Sequence, residues 1–311
     1  MIKRRAVALP VILAFAAVYL IWGSTYLAIR FMVDSLPPFF AAGTRFLLAG
    51  SLLGLWALLR GQRLTSAREW AAPAVVGLCL LAGCNGCTTW SSRLVPSGVV
   101  ALLQATVPLW FVLLDLFWLR QEGNGPKEWL AVALGMAGVA LLVFSAPGSR
   151  LAFDGRAMAA LLTGTFLWSS GSLLSRRLPS PSSNALASAL AMLVGGTVLL
   201  SLAGLQGEWR LLSRQALAPR SLMALAYLVL FGSLLAFCSY NWLIRTEKPT
   251  LVGTCTFVNP LVAVLLGWSL AGETLSPQAL LGGTVIVASV VLLWMPHRAK
   301  PLKEVPLATD R

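Results

Sequence analysis

The sequence predicts an all-α polytopic membrane protein: ten transmembrane helices in a 5+5 inverted repeat, with N-in/C-in orientation. Three observations carry this prediction. Composition is the first. Of 311 residues, 58% are hydrophobic and 11% charged, with a mean hydropathy of +0.79, whereas a soluble domain carries about 25% charged residues. Second, the apolar residues fall into ten runs long enough to cross a bilayer, since about 20 residues at ~1.5 Å rise cover ~30 Å of hydrocarbon. Third, the chain resembles itself. Displaced by 152 residues, the run Val99–Leu119 falls on Leu251–Leu270, with Pro108 on Pro260, Leu109 on Leu261 and Val112 on Val264.

The runs cover 9–29, 38–60, 70–92, 97–119, 128–146, 157–175, 183–205, 220–243, 249–270 and 277–295. Turn chemistry separates them. Pro37-Pro38 opens the second and Arg60-Gly61-Gln62-Arg63 closes it; Gly123-Asn124-Gly125-Pro126 stands before the fifth and Pro179-Ser180-Pro181 before the seventh. The longest break, about 206–219, holds Glu208-Trp209-Arg210-Leu211-Leu212, read as a short surface helix. The start, Lys3-Arg4-Arg5 before an apolar run, has the look of a signal peptide, but the run continues to Ile29 and reads as a retained first span. Further matches extend the repeat: Trp22-Gly23-Ser24 on Trp168-Ser169-Ser170, and Trp90 through Arg93 on Trp242 through Arg245. Residues 1–146 therefore form the first five-helix repeat, 147–295 the second, and 296–311 a polar cytoplasmic tail read as disordered. Five is odd, so the second copy is inverted, and the pseudo-two-fold axis lies in the membrane plane.

The net charge of +13 invites a nucleic-acid reading, but the distribution of the charges gives a better account. With the N-terminus inside, 16 Lys and Arg residues fall in cytoplasmic segments and 7 in external ones, with Arg45 left within a span. That asymmetry is the positive-inside rule. It selects the orientation and requires no polyanionic partner.

Each proline at mid-span removes a backbone hydrogen bond, and carbonyls freed at membrane depth must be covered by protein or by a water-filled cavity. Pro108 and Pro260 are thus a repeat-related pair of candidate hinges. Polar side chains gather on spans 1, 3, 4, 6, 8 and 9, while spans 2, 5, 7 and 10 are richer in Leu, Ala and Gly. Unpaired amides are expensive in hydrocarbon, so these spans should enclose a central cavity. The candidate substrate-binding residues are Trp22, Tyr26, Asn85, Gln104, Trp168, Tyr240 and Asn259, with Trp22 and Trp168 as quasi-symmetric aromatic walls. Interhelical hydrogen bonding is the plainer reading of any one of them. Trp56, Trp70, Trp129 and Trp294 sit near span ends and read as interfacial anchors. Arg45 and Asp115 are intramembrane charges, functional by default, although a long side chain near a helix end can also snorkel to the interface.

Several chemistries lack support. Cys84-Asn85-Gly86-Cys87 is a C-x-x-C with no strand–helix context, and the five cysteines read as small packing residues. The single histidine, His297, is in the tail, and no Walker loop occurs. No nucleophile–base pair is visible. A membrane-embedded enzyme acting on a lipid or carrier-linked group, or a passive channel, remains as an alternative to a carrier.

Ile21-Trp22-Gly23-Ser24-Thr25-Tyr26, Arg45-Phe46, Pro108, Asn259-Pro260 and Gly272-Glu273-Thr274-Leu275 together resemble the EamA-type branch of the drug/metabolite transporter superfamily. The resemblance covers about 9–295. Repeat 1 carries Gln121-Glu122-Gly123 where repeat 2 carries Gly272-Glu273-Thr274, so the family's Gly-Glu turn transfers only to Gly272 and Glu273, in a structural role. The resemblance implies a multi-pass protein of the bacterial inner membrane. It also implies secondary-active export of small organic metabolites, such as amino acids or related amphipathic compounds, by alternating access. The expected partners are a small-molecule substrate and the lipid bilayer. No cofactor, metal, nucleic acid or enzymatic activity is expected. Gly135/Gly138 and Gly282/Gly283 would let spans 5 and 10 pack closely, and homodimer and monomer both remain open.

Overall fold

The computed structural model describes residues 9–95, 97–119, 125–144, 154–212, 218–271 and 276–295. Ten helices among them are long and apolar enough to cross a membrane: α1 Leu9–Val33, α2 Pro38–Leu59, α3 Ala67–Ser91, α4 Val99–Phe117, α5 Pro126–Phe144, α6 Gly155–Ser175, α7 Asn184–Leu205, α8 Pro219–Thr246, α9 Pro249–Leu266 and α10 Pro277–Trp294. The basic start, Gln121 through Asn124, the Gly272–Leu275 turn and the tail from Pro296 lie outside the described residues.

Helix starts follow local chemistry. Proline opens α2, α8, α9 and α10, where its missing N–H would have no intrahelical partner in any case. Side chains cap four orphan donors at three helix starts. Asp154 accepts from the Arg156 and Ala157 amides at 2.8 and 3.0 Å, Ser183 from Leu186 at 3.2 Å, and Ser276 from Ala279 at 3.1 Å. The expected surface helix after α7 is a single 3₁₀ turn, Glu208–Leu211.

Side chains sort as the bilayer demands. Large aliphatic residues such as Leu27, Leu52, Leu55, Leu130 and Leu280 face outward, while Ser91, Thr165, Ser169, Ser188, Ser233 and Thr254 are fully buried. In lipid no hydrophobic force drives helices together, so small and hydrogen-bonding residues make the contacts.

Packing follows the repeat. The most extensive contacts pair α2 with α7 and α5 with α10. Each pair is its own equivalent when the repeats are exchanged. The inner helices obey the same exchange: α1 lies against α9 and α8, and α6 against α4 and α3. Gly138 and Gly282 face each other across the α5–α10 contact. A Cβ on Gly138 would stand 2.9 Å from the Gly282 carbonyl oxygen, and one on Gly282 would stand 2.8 Å from that of Gly138. These two glycines are consumed within the chain.

Two features lay beyond the sequence reading. The middle of α3, Gly77–Asn85, and of α8, Leu228–Phe237, is wound with π-helical turns. Displaced by 152 residues, the first stretch falls on 229–237 of the second. Helix α4 breaks between Gln104 and Val107, and α9 breaks at Thr254.

Candidate functional site

The inner helices enclose a cavity with room for water of about 80 Å³. Its walls come from seven helices. Helix α1 contributes Trp22, Thr25, Tyr26 and Ile29, and α3 contributes Leu81, Cys84, Asn85 and Thr88. Both sets follow the i, i+3, i+4, i+7 spacing of one helix face. Helix α4 adds Gln104 and Val107, α6 Trp168, α8 Gly232 and Phe237, α9 Cys255, Thr256 and Asn259, and α2 Arg45 and Phe46. Six predicted residues (Trp22, Tyr26, Asn85, Gln104, Trp168 and Asn259) thus share one space.

Tyr240 does not line it. Its side chain is 1% exposed and lies behind Trp168, whose Nε1 donates to the Tyr240 hydroxyl at 2.6 Å. Ser172 Oγ lies 2.8 Å from the same hydroxyl. Tyr240 therefore orients the wall. The two tryptophans meet edge to face, with ring centroids 5.5 Å apart, and the Tyr240 ring lies 5.2 Å from Trp22 and 5.0 Å from Trp168. Repeat-related residues that touch must lie on the pseudo-two-fold axis, so the Trp22–Trp168 contact locates that axis.

The π-helical stretches feed the same space. Trp22 Nε1 donates to the Gly232 carbonyl at 3.1 Å, and Asn85 Nδ2 donates to the Leu80 carbonyl at 3.0 Å. Both acceptors lie in π-wound backbone. Such segments realign carbonyls and are common at functional sites. Gln104 Nε2 donates to Thr88 Oγ1 at 2.7 Å, and Thr88 Oγ1 in turn donates to the Cys84 carbonyl at 2.8 Å. Beside Pro108, Ser169 Oγ donates to the Val107 carbonyl at 3.1 Å, and Thr106 and Thr165 hydroxyls lie 3.0 Å apart. The break in α4 is thus covered by α6, as hydrocarbon depth requires.

Three placements add to the sequence reading. Arg45 does not snorkel: it is 6% exposed and forms part of the cavity wall. Trp294 packs edge to face on Phe15 at 4.9 Å, whereas Trp56, Trp70 and Trp129 are exposed as expected of anchors. The prolines occupy different settings, since Pro108 begins a helix and Pro260 lies inside one. Cys79, Cys84, Cys87, Cys238 and Cys255 are all free, and Asp115 is buried near the end of α4.

Ten helices packed in repeat-matched pairs around an aromatic-walled cavity that carries several polar side chains define a membrane transport protein of the inverted-repeat kind. Residues 9–144 and 155–295 each match the EamA-like transporter family, and the chain belongs to that family. It is similar to the uncharacterized inner membrane transporter YedA of Escherichia coli (strain K12), with 40% identity over 299 residues, 96% of this chain and 94% of YedA. Protein PecM of Dickeya dadantii is 27% identical over 292 residues, 91% of this chain and 94% of PecM. One protein of known crystal structure, 21% identical, shares the fold with a TM-score of 0.71 over 91% of this chain and 96% of its own. Family membership makes the protein a multi-pass membrane transporter and not an enzyme.

Proposed function

We propose that the protein is a secondary-active exporter of small organic metabolites, such as amino acids or related amphipathic compounds, residing in the bacterial inner membrane. Cargo occupies the central cavity and is carried by alternating access. The carrying observation is the convergence of Trp22, Tyr26, Asn85, Gln104, Trp168 and Asn259, drawn from five inner helices, on one enclosed space. Indole and phenol rings supply apolar area with a polar rim, and the amides supply directional hydrogen bonds, a combination suited to amphipathic cargo. Alternation by exchange of repeat conformations is supported by the matched helix pairing and by the breaks in α4 and α9 near Pro108 and Pro260. The N-in/C-in orientation is supported by the charge asymmetry.

Counterflow in proteoliposomes tests this reading. Vesicles preloaded with unlabelled metabolite should concentrate the same labelled metabolite transiently, with saturable dependence, for some member of a broad panel. Flux that rises linearly with concentration and shows no counterflow would identify a passive pore and overturn the carrier reading.

A further inference from the structure

Arg45 is the most expensive side chain in the cavity. It is 94% buried at membrane depth, in the second turn of α2. Its Nε donates to Ser233 Oγ at 2.8 Å, and its guanidinium carbon lies 4.9 Å from the Phe46 ring centroid. Among the described residues no carboxylate lies within ion-pair distance of it. Among the described residues its one hydrogen bond is the Nε donation to Ser233, and the two terminal nitrogens, with four N–H groups, are left to the cavity that Arg45 lines. A buried charge without a partner is strongly unfavourable, and an intramembrane charge facing a cavity marks a ligand pathway by default.

The surroundings make room for this group. A Cβ on Gly232 would stand 2.9 Å from Arg45 Nη2, so the guanidinium occupies space that a larger residue there would make it shift to share. No Asp or Glu stands among the cavity-lining residues, so Arg45 leaves the site with a net positive charge. Asn259 adds a second polar group: its side chain interacts with Tyr26, and its buried Oδ1 has no donor among the described residues. The same lining thus holds a planar fork of donors on Arg45, an amide on Asn259 and the aromatic rings of Trp22 and Trp168.

We propose that Arg45 is the receptor for a carboxylate on the transported molecule, and that the cargo class is amphipathic carboxylates carrying an N–H or O–H donor for Asn259. This rests on reading the cavity as the cargo site. A guanidinium matches a carboxylate bidentately, which a lysine ammonium cannot do. The cargo completes the ion pair that the protein lacks, so binding and desolvation of Arg45 are coupled.

The test uses purified full-length protein and paired probes with aryl and alkyl bodies: each carboxylate, its neutral primary amide, the corresponding α-amino acid and the decarboxylated amine. Quenching of intrinsic tryptophan fluorescence reads binding at Trp22 and Trp168. In wild type, carboxylates and amino acids should bind about tenfold or more tighter than the matching amides, and the amines should be weakest. Arg45→Gln should abolish that discrimination, Arg45→Lys should retain only part of it, and Ser233→Ala should keep it. A second readout separates a binding role from a structural one. Arg45→Gln should unfold at the same or a higher temperature than wild type without probe, because it removes an unpaired buried charge. A markedly lower unfolding temperature, equal binding of amide and carboxylate to wild type, or binding of no carboxylate in the panel would overturn the proposal. Saturable counterflow of a carboxylate by Arg45→Gln at wild-type rate would refute the carboxylate receptor while leaving the carrier intact. Loss of counterflow for every metabolite in wild type would refute the carrier itself.

Discussion

Replacing Gly138 or Gly282 with Ala tests the α5–α10 contact directly. A Cβ on Gly138 meets the Gly282 carbonyl oxygen at 2.9 Å and the Ile286 amide nitrogen at 3.0 Å; one on Gly282 meets the Gly138 oxygen at 2.8 Å and the Leu142 nitrogen at 3.0 Å. These are backbone atoms, which cannot rotate away, so the helices must separate by several tenths of an ångström. Overpacking of this kind costs about 1–3 kcal/mol. The gain from restricting the unfolded backbone offsets about 0.5–1 kcal/mol of it. The net expectation is a loss of about 1 kcal/mol for either variant. Because one separation relieves both clashes, the double variant should lose less than the sum of the singles. Gly54→Ala is the control: its Cβ would meet Ala189 Cβ at an ordinary 3.6 Å, so the substitution should stabilise by a few tenths to about 1 kcal/mol. Equilibrium unfolding of purified protein in mixed detergent micelles, followed by circular dichroism, measures all four. Wild-type or greater stability in Gly138→Ala and Gly282→Ala would refute the close approach.

Other expectations follow from the site and the repeat. Trp22→Ala or Trp168→Ala should impair counterflow more than Trp70→Ala or Trp129→Ala at matched expression, and equal impairment would remove the tryptophans from the cargo site. Trp168→Phe keeps the ring but loses the 2.6 Å donation to Tyr240; a loss of about 1 kcal/mol in cargo binding or stability is expected, read by fluorescence titration and thermal unfolding. A cysteine at Gly155, where an added Cβ meets nothing within 4 Å, should label from the periplasm in a cysteine-free background. One at Gly125 should label only after permeabilisation, and reversal of both would overturn N-in. Pro260→Ala should shift accessibility toward the conformation described here and Pro108→Ala away from it, read by alkylation of single cysteines near each mouth; a shift in the same direction from both would refute paired hinges.

The spans were legible because bilayer thickness sets a length and because turn residues such as Pro37-Pro38 and Pro179-Ser180-Pro181 punctuate the apolar runs. The cavity was legible for a related reason: Asn85, Gln104 and Asn259 have no inexpensive place in a lipid-facing position. Periodicity could not tell a first row from a second, however, and Tyr240 sits behind Trp168 rather than beside it. For Arg45 the functional and snorkelling readings stood side by side, because distance to the helix end does not show the space beside Gly232 on another helix. The π-helical turns of α3 and α8 have no residue code of their own. Only the backbone reveals that Leu80 and Gly232, equivalent by the 152-residue displacement, both offer carbonyls to side chains at the site.

The unequal settings of the two prolines give the hinge expectation its sign. Pro108 follows a break and sits in the first turn of a new helix, where its missing N–H deprives the helix of nothing. Pro260 sits inside a continuous helix, where it removes the bond to the carbonyl of Thr256 and presses on the preceding turn, at a cost of about 3 kcal/mol. Exchange of repeat conformations would reverse these roles. The break of α9 at Thr254 maps onto Leu102 of α4, and the break of α4 at Ala105-Thr106 maps onto Phe257-Val258 of α9. In the opposite conformation Pro260 would begin a helix and Pro108 would be strained inside one. Each state then holds one relaxed and one strained proline, so the strain raises both states alike and leaves their balance near even. Removing Pro260 relieves the present state alone, and removing Pro108 relieves only its counterpart. At about 1.4 kcal/mol per tenfold, losing ~3 kcal/mol of strain on one side moves the population ratio by about a hundredfold. A carrier that must visit both states in every cycle would slow in either variant, for opposite reasons.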